Sequence, residues 1–195
     1  MQQDEVKGII ESLLFVHQHP LTVDNIVKIV GGDHVGKRVI KEVLTELVAE
    51  YQGMGRSFHL MEVGEGYQFR TKVEYASWIR NLRKVKPARL SQSALETLAI
   101  VAYRQPIVRA EVEHIRGVDS GWVLNSLLEK GLIKILGRKE VAGRPLVYGT
   151  SRRFLEVFGL RDLGGLPTLQ ELDALKDEEE LEPQTGEIVE EKEEE

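Results

Sequence analysis

Two stretches of the chain share one order of residue classes. Ile9 to Val16 reads IIESLLFV, and Ala94 to Val101 reads ALETLAIV. Each is followed by a proline and an aliphatic residue, Pro20-Leu21 and Pro106-Ile107, and then by a short amphipathic run, TVDNIVKIV or RAEVEHIRG. A third helical run comes next, GKRVIKEVLTELVAEY in the first copy and GWVLNSLLEKG in the second. Two strand-like runs around a turn close each copy: FHLMEV, GEG and YQFRTK, then LIKILGRK, VAGRP and LVYGT. Self-similarity of this kind means one supersecondary unit used twice. Tyr67, Phe69 and Thr71 share one face of their run, as a half-buried strand requires. Pro20 and Pro106 fall between helices, where a missing N–H does no harm. Ser91 or Ser93 can cap the helix that follows.

Three helices and a two-stranded wing in about 80 residues predict a winged helix, an elaborated helix-turn-helix. The expected fold is therefore α+β, mainly α, with two tandem winged-helix domains. The first covers residues 1–80 and the second 91–168. A basic linker, 81–90, joins them, and an acidic disordered tail, 169–195, follows. The join NLRKVKPARLS carries Arg83, Lys84, Lys86 and Arg89. It reads as a solvated linker, or else as a patch for a nucleic-acid backbone. A second basic hairpin, GRKEVAGRPLVYG, leads into a closing helix, RRFLEVFGL.

The formal net charge of −6 conceals an uneven distribution. Residues 170–195 hold 13 Asp and Glu beside 2 Lys and so carry −11, leaving +5 on the rest. A segment of that composition has little to bury and repels itself, so it is expected to be a solubilising tail or a mimic of a nucleic-acid surface. The chain has no cysteine, which excludes disulfides and thiol catalysis. The start, MQQDEVKGII, lacks the basic beginning and long apolar core of a signal peptide. No apolar run approaches the roughly 18 residues of a membrane helix. The expectation is a cytoplasmic chain with no membrane partner.

Candidate chemistry is sparse. GGDHVGKR, Gly31 to Arg38, nearly matches a phosphate-binding loop, but Arg38 stands where Mg²⁺ needs a hydroxyl. The run before it has helical, not strand, periodicity, so it reads as a helix stop followed by a helix start. None of His17, His19, His34, His59 and His114 forms a metal-binding pair with a carboxylate at helical spacing. Ser120 lacks the flanking glycines of a nucleophile elbow. Glu178 and Glu179 lie in the tail, where nothing would hold them in geometry. The reading is a non-enzyme with no cofactor and no metal.

A winged helix invites comparison with DNA-binding regulators, the alternative function. Base readout needs Arg, Lys, Asn or Gln near the start of the third helix. In the second copy that region reads DSGWVLNSLLEK and offers only Asn125. In the first copy Lys37, Arg38 and Lys41 are offset by Glu42, Glu46 and Glu50. Arg138, Lys139 and Arg144 of the second hairpin can meet phosphates or the carboxylates of a protein. Turned through 100° per residue, ALETLAIVAY gathers Ala94, Leu95, Leu98, Ala99, Val101 and Ala102 on the predicted core face. Glu96 and Thr97 then face water, and Ile100 lies off the stripe, as Phe15 does at the matching position. A helix apolar nearly all round must be covered on both sides, by another chain, the other half, or its own neighbours.

The run from ETLAIVAYRQPI through EHIRGV and GRKEVAGRP to FLEVFGL and LPTLQEL resembles the bacterial segregation and condensation protein B family. The likeness covers nearly all of residues 5–172 and is strongest over 91–167. It implies two winged-helix domains, homodimerisation mainly through the N-terminal one, and binding of a kleisin subunit, segregation and condensation protein A, chiefly through the C-terminal one. The kleisin links the subunit to a structural-maintenance-of-chromosomes ATPase, in a complex that condenses and partitions chromosomes for cell division at the nucleoid. The subunit itself is non-catalytic and touches DNA at most indirectly or non-specifically. On this reading the partner-binding candidates are Ile100, Tyr103, Arg138, Arg144, Phe154 and Phe158. The dimer-interface candidates are Ile10, Leu14 and Phe15. Gly137, Gly143 and Pro145 shape the hairpin.

Overall fold

The structure, a computed structural model, describes residues 3–31, 35–83, 90–168 and 170–171. It is mainly helical with two small antiparallel sheets. The chain divides into two compact units, residues 1–164 and 165–195, so both copies of the repeat lie in the first.

The first copy runs α1 (Gln3–Val16), α2 (Val23–Val30), α3 (Lys37–Gly53), β1 (Phe58–Val63), β2 (Gly66–Thr71) and α4 (Ala76–Arg83). The second runs α5 (Gln92–Arg104), β3 (Ile107–Val108), α6 (Arg109–Arg116), α7 (Gly121–Glu129), β4 (Ile133–Arg138), β5 (Leu146–Thr150) and α8 (Arg152–Phe158). The predicted order thus appears twice, closed by the expected helix α8 in the second copy and by α4 in the first. β1 and β2 form a hairpin with Leu60 opposite Phe69. In the second copy the order is β3-β5-β4, and Ile107 pairs with Tyr148. The first copy has only an isolated bridge at the matching place, Leu21 to Tyr67. α4 was not expected, and it takes residues 81–83 out of the anticipated linker. Trp78, Ile79 and Leu82 supply the helical spacing. Residues 84–89 of the linker and most of the tail lie outside the described residues.

Helix ends follow local chemistry. Thr22 caps α2, its Oγ1 accepting Asn25 N–H at 3.2 Å. Gly31, with φ 44°, ends it, and α3 begins at Lys37. This is the stop and start expected of GGDHVGKR; residues 32–34 lie outside the described ones. Ser91, not Ser93, caps α5, its Oγ accepting Ala94 N–H at 3.2 Å. Ser93 Oγ accepts Arg116 Nη2 at 2.8 Å instead. Glu111 reaches back from α6 to accept Val108 N–H at 2.9 Å.

The first core gathers Val6, Ile10 and Leu14 of α1, Leu21, Ile26, Ile40, Val43, Leu44 and Leu47, closed by Leu60 of the hairpin. In the second half Leu98, Val101, Ile107, Val112, Leu124, Leu127, Ile133, Tyr148, Phe154 and Leu155 are buried. Each such aliphatic side chain contributes roughly 1.5–3 kcal/mol through removal from water.

The predicted stripe on α5 is rotated from the observed one. Ala94, Thr97, Leu98, Val101 and Ala102 face inward, whereas Leu95 and Ala99 are exposed. Thr97, expected in water, is 0% exposed. Its Oγ1 donates to Ser93 C=O at 2.8 Å, so the hydroxyl is satisfied one turn back along the helix and its methyl can pack.

In the second unit, Thr168 and Glu171 cap one another. Thr168 N–H donates to Glu171 Oε2 at 2.6 Å, and Glu171 N–H to Thr168 Oγ1 at 3.2 Å. The bond from Thr168 N–H to the ionised carboxyl, with a further one from the Thr168 side chain, holds Glu171 below its ordinary value.

Candidate protein-binding site

On the first half the outward face of α1 carries the candidate surface. Val6, Ile10 and Leu14 turn into the core, and the rest of the helix lines a groove of about 490 Å³ with Gly8, Ile9, Ser12 and Val16, and with Leu13, which also packs against the core. A second pocket of about 470 Å³ lies beside it, between Phe15 and Val16 on one wall and Tyr51, Phe58 and Phe69 on the other. The ring centroids of Tyr51 and Phe69 stand 4.7 Å apart, edge to face. The Tyr51 hydroxyl donates to Glu11, and that bond, with burial and the carboxylate's charge, pushes its pKa up to about 12. Phe15 is 78% exposed at the rim.

Of the three dimer-interface candidates, only Phe15 is therefore on the surface. Ile10 and Leu14, at 0% and 2% exposure, belong to the chain's own core. They fall on the same 3.6-residue stripe as Val6, and α3 covers that stripe. Another apolar face escaped the sequence reading altogether. α4 buries none of its described side chains, and Trp78 and Leu82 are exposed on it. The i, i+4 spacing of these two residues was the available signal.

On the second half, Ile100 is half-buried and Tyr103 exposed. Phe154 is buried and stacks on Phe158 one turn on, with ring centroids 4.8 Å apart. Phe158 is exposed and Phe154 supports it from within, so Phe154 is a core residue and not itself a contact surface. The hairpin between β4 and β5 turns at Gly143, φ 81°, where Arg144 N–H closes onto Val141 C=O at 2.9 Å. Glycine meets that left-handed backbone without a Cβ clash. Arg138 and Arg144 are both exposed, but Arg138 also serves the hairpin, its Nη1 donating to Arg144 C=O at 3.0 Å. At the corner between α6 and α7, Ile115, Val118 and Trp122 are exposed together, Trp122 at 77%. Sequence reading missed this corner. A tryptophan placed directly after Gly121, the first residue of α7, was the clue.

The corner is held by ion pairs. Glu113 accepts Ser120 N–H at 3.0 Å and Arg109 Nε at 2.6 Å, and both bonds hold its carboxyl below the ordinary value. Arg109 also pairs with Asp119. α7 itself contains no Lys or Arg, so the DNA reading finds no basic side chain on the helix that would enter a groove. Lys37 is bound to Asp24 at 2.6 Å, Arg38 to Glu42 at 3.4 Å, and Lys139 to Glu111 at 3.0 Å. Lys37 thus answers a carboxylate, and the element before it is α2, where a phosphate-binding loop requires a strand. Among the described residues no three His, Asp or Glu are grouped to hold a metal, and no helix is long and apolar enough to cross a membrane.

Such a molecule offers outward apolar faces and a basic hairpin, and these define a protein-interaction module. Residues 8–169 match the family model of the segregation and condensation complex subunit ScpB. A segregation and condensation protein B from Syntrophotalea carbinolica is 49% identical over 180 residues, covering 92% of this chain and 90% of the relative. The crystal structure of ScpB from Mycobacterium tuberculosis is 32% identical, covers 82% of this chain and 98% of its own, and superposes with a TM-score of 0.39. A crystal structure of a dimer of the ScpB N-terminal domain complexed with ScpA peptide is 28% identical over 40% of this chain and 95% of its own, with a TM-score of 0.36. The chain belongs to the ScpB family of segregation and condensation complex subunits.

Proposed function

We propose that the chain is a non-catalytic subunit of a bacterial condensin-like complex, built from two tandem winged-helix domains at residues 1–80 and 91–168. The first domain pairs with a second copy through the outward face of α1, with Phe15 at its centre. The second binds the kleisin, segregation and condensation protein A, through Ile100, Tyr103 and Phe158 and the basic hairpin with Arg138 and Arg144. Through the kleisin the subunit joins a structural-maintenance-of-chromosomes ATPase at the nucleoid and serves chromosome condensation and partition. Family membership supports the assignment of the complex. One observation carries the choice of surfaces: each repeated unit has its own filled core yet leaves large apolar side chains in water, Phe15 on one and Phe158 on the other. Aromatic side chains are enriched at protein–protein interfaces relative to the rest of the surface.

Titration calorimetry of the kleisin into the full chain tests the second surface. Ile100→Asp and Phe158→Asp should each weaken binding at least tenfold, and Arg144→Ala less. Unchanged affinity in all three, with the fold intact by circular dichroism, would remove the assignment.

A further inference from the structure

The hairpin of the first half ends in a two-residue turn, Gly64-Glu65, between the paired residues Val63 and Gly66. Both turn residues have positive φ, 54° and 59°. Such a turn normally shows its amides to water. Here Gly64 N–H donates to Leu160 C=O at 2.8 Å and Glu65 N–H to Arg161 C=O at 3.0 Å, both just past α8. Arg152 of α8 reaches the other way. Its Nε donates to Gly64 C=O at 2.6 Å and its Nη2 to Pro20 C=O at 2.9 Å. From β2, Arg70 Nη2 donates to Glu156 C=O at 2.6 Å. The fit depends on a missing side chain, because a Cβ on Gly66 would lie 3.0 Å from Arg152 Nη2 and 2.8 Å from Leu21 O. Two side-chain contacts flank these bonds: His19 Nδ1 lies 3.3 Å from Glu156 Oε1, and Arg161 Nε pairs with Glu62 Oε1 at 3.4 Å.

These contacts join residues far apart in sequence, and they are polar. The planar fork of one guanidinium satisfies two carbonyls on different loops at once, which a lysine cannot do in the same geometry. Val63 and Leu21, beside the two accepting carbonyls, are buried, as are Phe154 and Leu155 of α8, but the bonds that cross between the halves are made by backbone amides, carbonyls and two guanidinium groups. Polar contacts within a chain resemble transient interfaces, and relative motion of the parts they join is the default expectation.

We infer that Arg152 is a latch. It holds the tip of the first hairpin against α8 in a closed arrangement, from which the two halves can part without disturbing either core. α8 then has three duties: Phe154 and Leu155 are buried, Arg152 and Glu156 hold the latch, and Phe158, one turn on from Phe154 at the helix end, is exposed. A ligand seated on Phe158, part of the surface proposed above for the kleisin, would meet the first half in one fixed orientation while the latch is shut.

The chain has no native cysteine, so two can be introduced for spin labels at exposed positions, Gln52→Cys at the end of α3 and Glu129→Cys at the end of α7. Pulsed dipolar spectroscopy on the full chain, diluted with unlabelled chain, reads the distance within one molecule. One narrow distribution is expected with the latch intact. Arg152→Ala or Arg70→Ala should broaden it and shift it to longer distance. Arg153→Ala, next to the latch but outside it, should leave it unchanged. Arg70 lies in the other half, so the test survives if Arg152→Ala perturbs α8. A broad distribution before any latch substitution, no change with both Arg152→Ala and Arg70→Ala, or equal broadening with Arg153→Ala would overturn the inference. No partner enters the measurement, so a failed kleisin titration leaves it standing.

Discussion

Leu21 and Tyr67 exchange both backbone hydrogen bonds, Leu21 N–H to Tyr67 C=O at 2.9 Å and Tyr67 N–H to Leu21 C=O at 3.0 Å. This one pair ties the segment after α1 to the first hairpin. The second half makes the same tie with a full strand, where Ile107 faces Tyr148. Both aliphatic residues follow a proline that cannot donate, so each pairing begins at the first residue able to do so.

The contrast between adjacent residues on α1 gives the first prediction. Leu14→Ala opens a cavity in the first core and should cost about 2–5 kcal/mol in urea denaturation. Phe15→Ala should change the stability of the isolated chain by under about 0.5 kcal/mol, as surface substitutions do. It should instead shift the sedimentation profile toward monomer. A Phe15→Ala chain that sediments like the parent would remove Phe15 from the dimer surface.

Gln105 and Thr150 form a second test. Gln105 Oε1 accepts Thr150 N–H at 2.8 Å, and Gln105 Nε2 donates to Ala102 C=O at 3.1 Å. Thr150 is buried. Gln105→Leu leaves that N–H without an acceptor, and a cost of about 1–3 kcal/mol is expected. Gln105→Glu keeps the acceptor and should cost less. Equal urea midpoints for the two variants would show that the bond is not what matters.

Alkaline titration should single out Tyr51. Its pKa stands at about 12, with the bond to Glu11 the largest cause. A raised phenol pKa means that the fold favours the neutral form. Its contribution to stability is complete below the unfolded value near 10 and is lost as pH rises through about 12. The absorbance difference between the parent and Tyr51→Phe should reach its midpoint near 12. Glu11→Gln should move that midpoint down toward the ordinary tyrosine value.

The acid side tests the corner between α6 and α7. Ser120 N–H and Arg109 hold the Glu113 carboxyl below its ordinary value of 4.5. A depressed carboxyl contributes stability above its unfolded pKa and loses it as pH falls through the folded one. Glu113→Gln should therefore lower the urea midpoint at neutral pH, and the gap to the parent should close below about pH 4.5. A gap that persists undiminished at pH 3 would assign the loss to packing.

The candidate surfaces were legible to different degrees. Phe15 departs from its helical stripe and is exposed, whereas Ile100, off the stripe that the sequence suggests, is half-buried. Ile10 and Leu14 were misplaced because a period of 3.6 says which residues share a face but not which face looks inward. Thr97 went wrong for a related reason. Its polarity suggested water, whereas a bond to Ser93 C=O within the same helix let it be buried. α4 and the Trp122 corner were missed because their apolar residues are few and their exposure depends on what fails to cover them.

The amino-acid order alone determined the twofold repeat, the run of helices and hairpins in each copy, the turn at Gly143 and the absence of thiol chemistry. These follow from short-range causes: periodicity, capping and backbone freedom act within a few residues. Tertiary structure decided the rotation of α5 about its axis, the division of α1 into Leu14 inside and Phe15 outside, and the seating of Gly64-Glu65 on Arg152. Those depend on groups as distant as Pro20 and Arg152, 132 positions apart, whose meeting is set by how whole elements pack, and no local pattern encodes that.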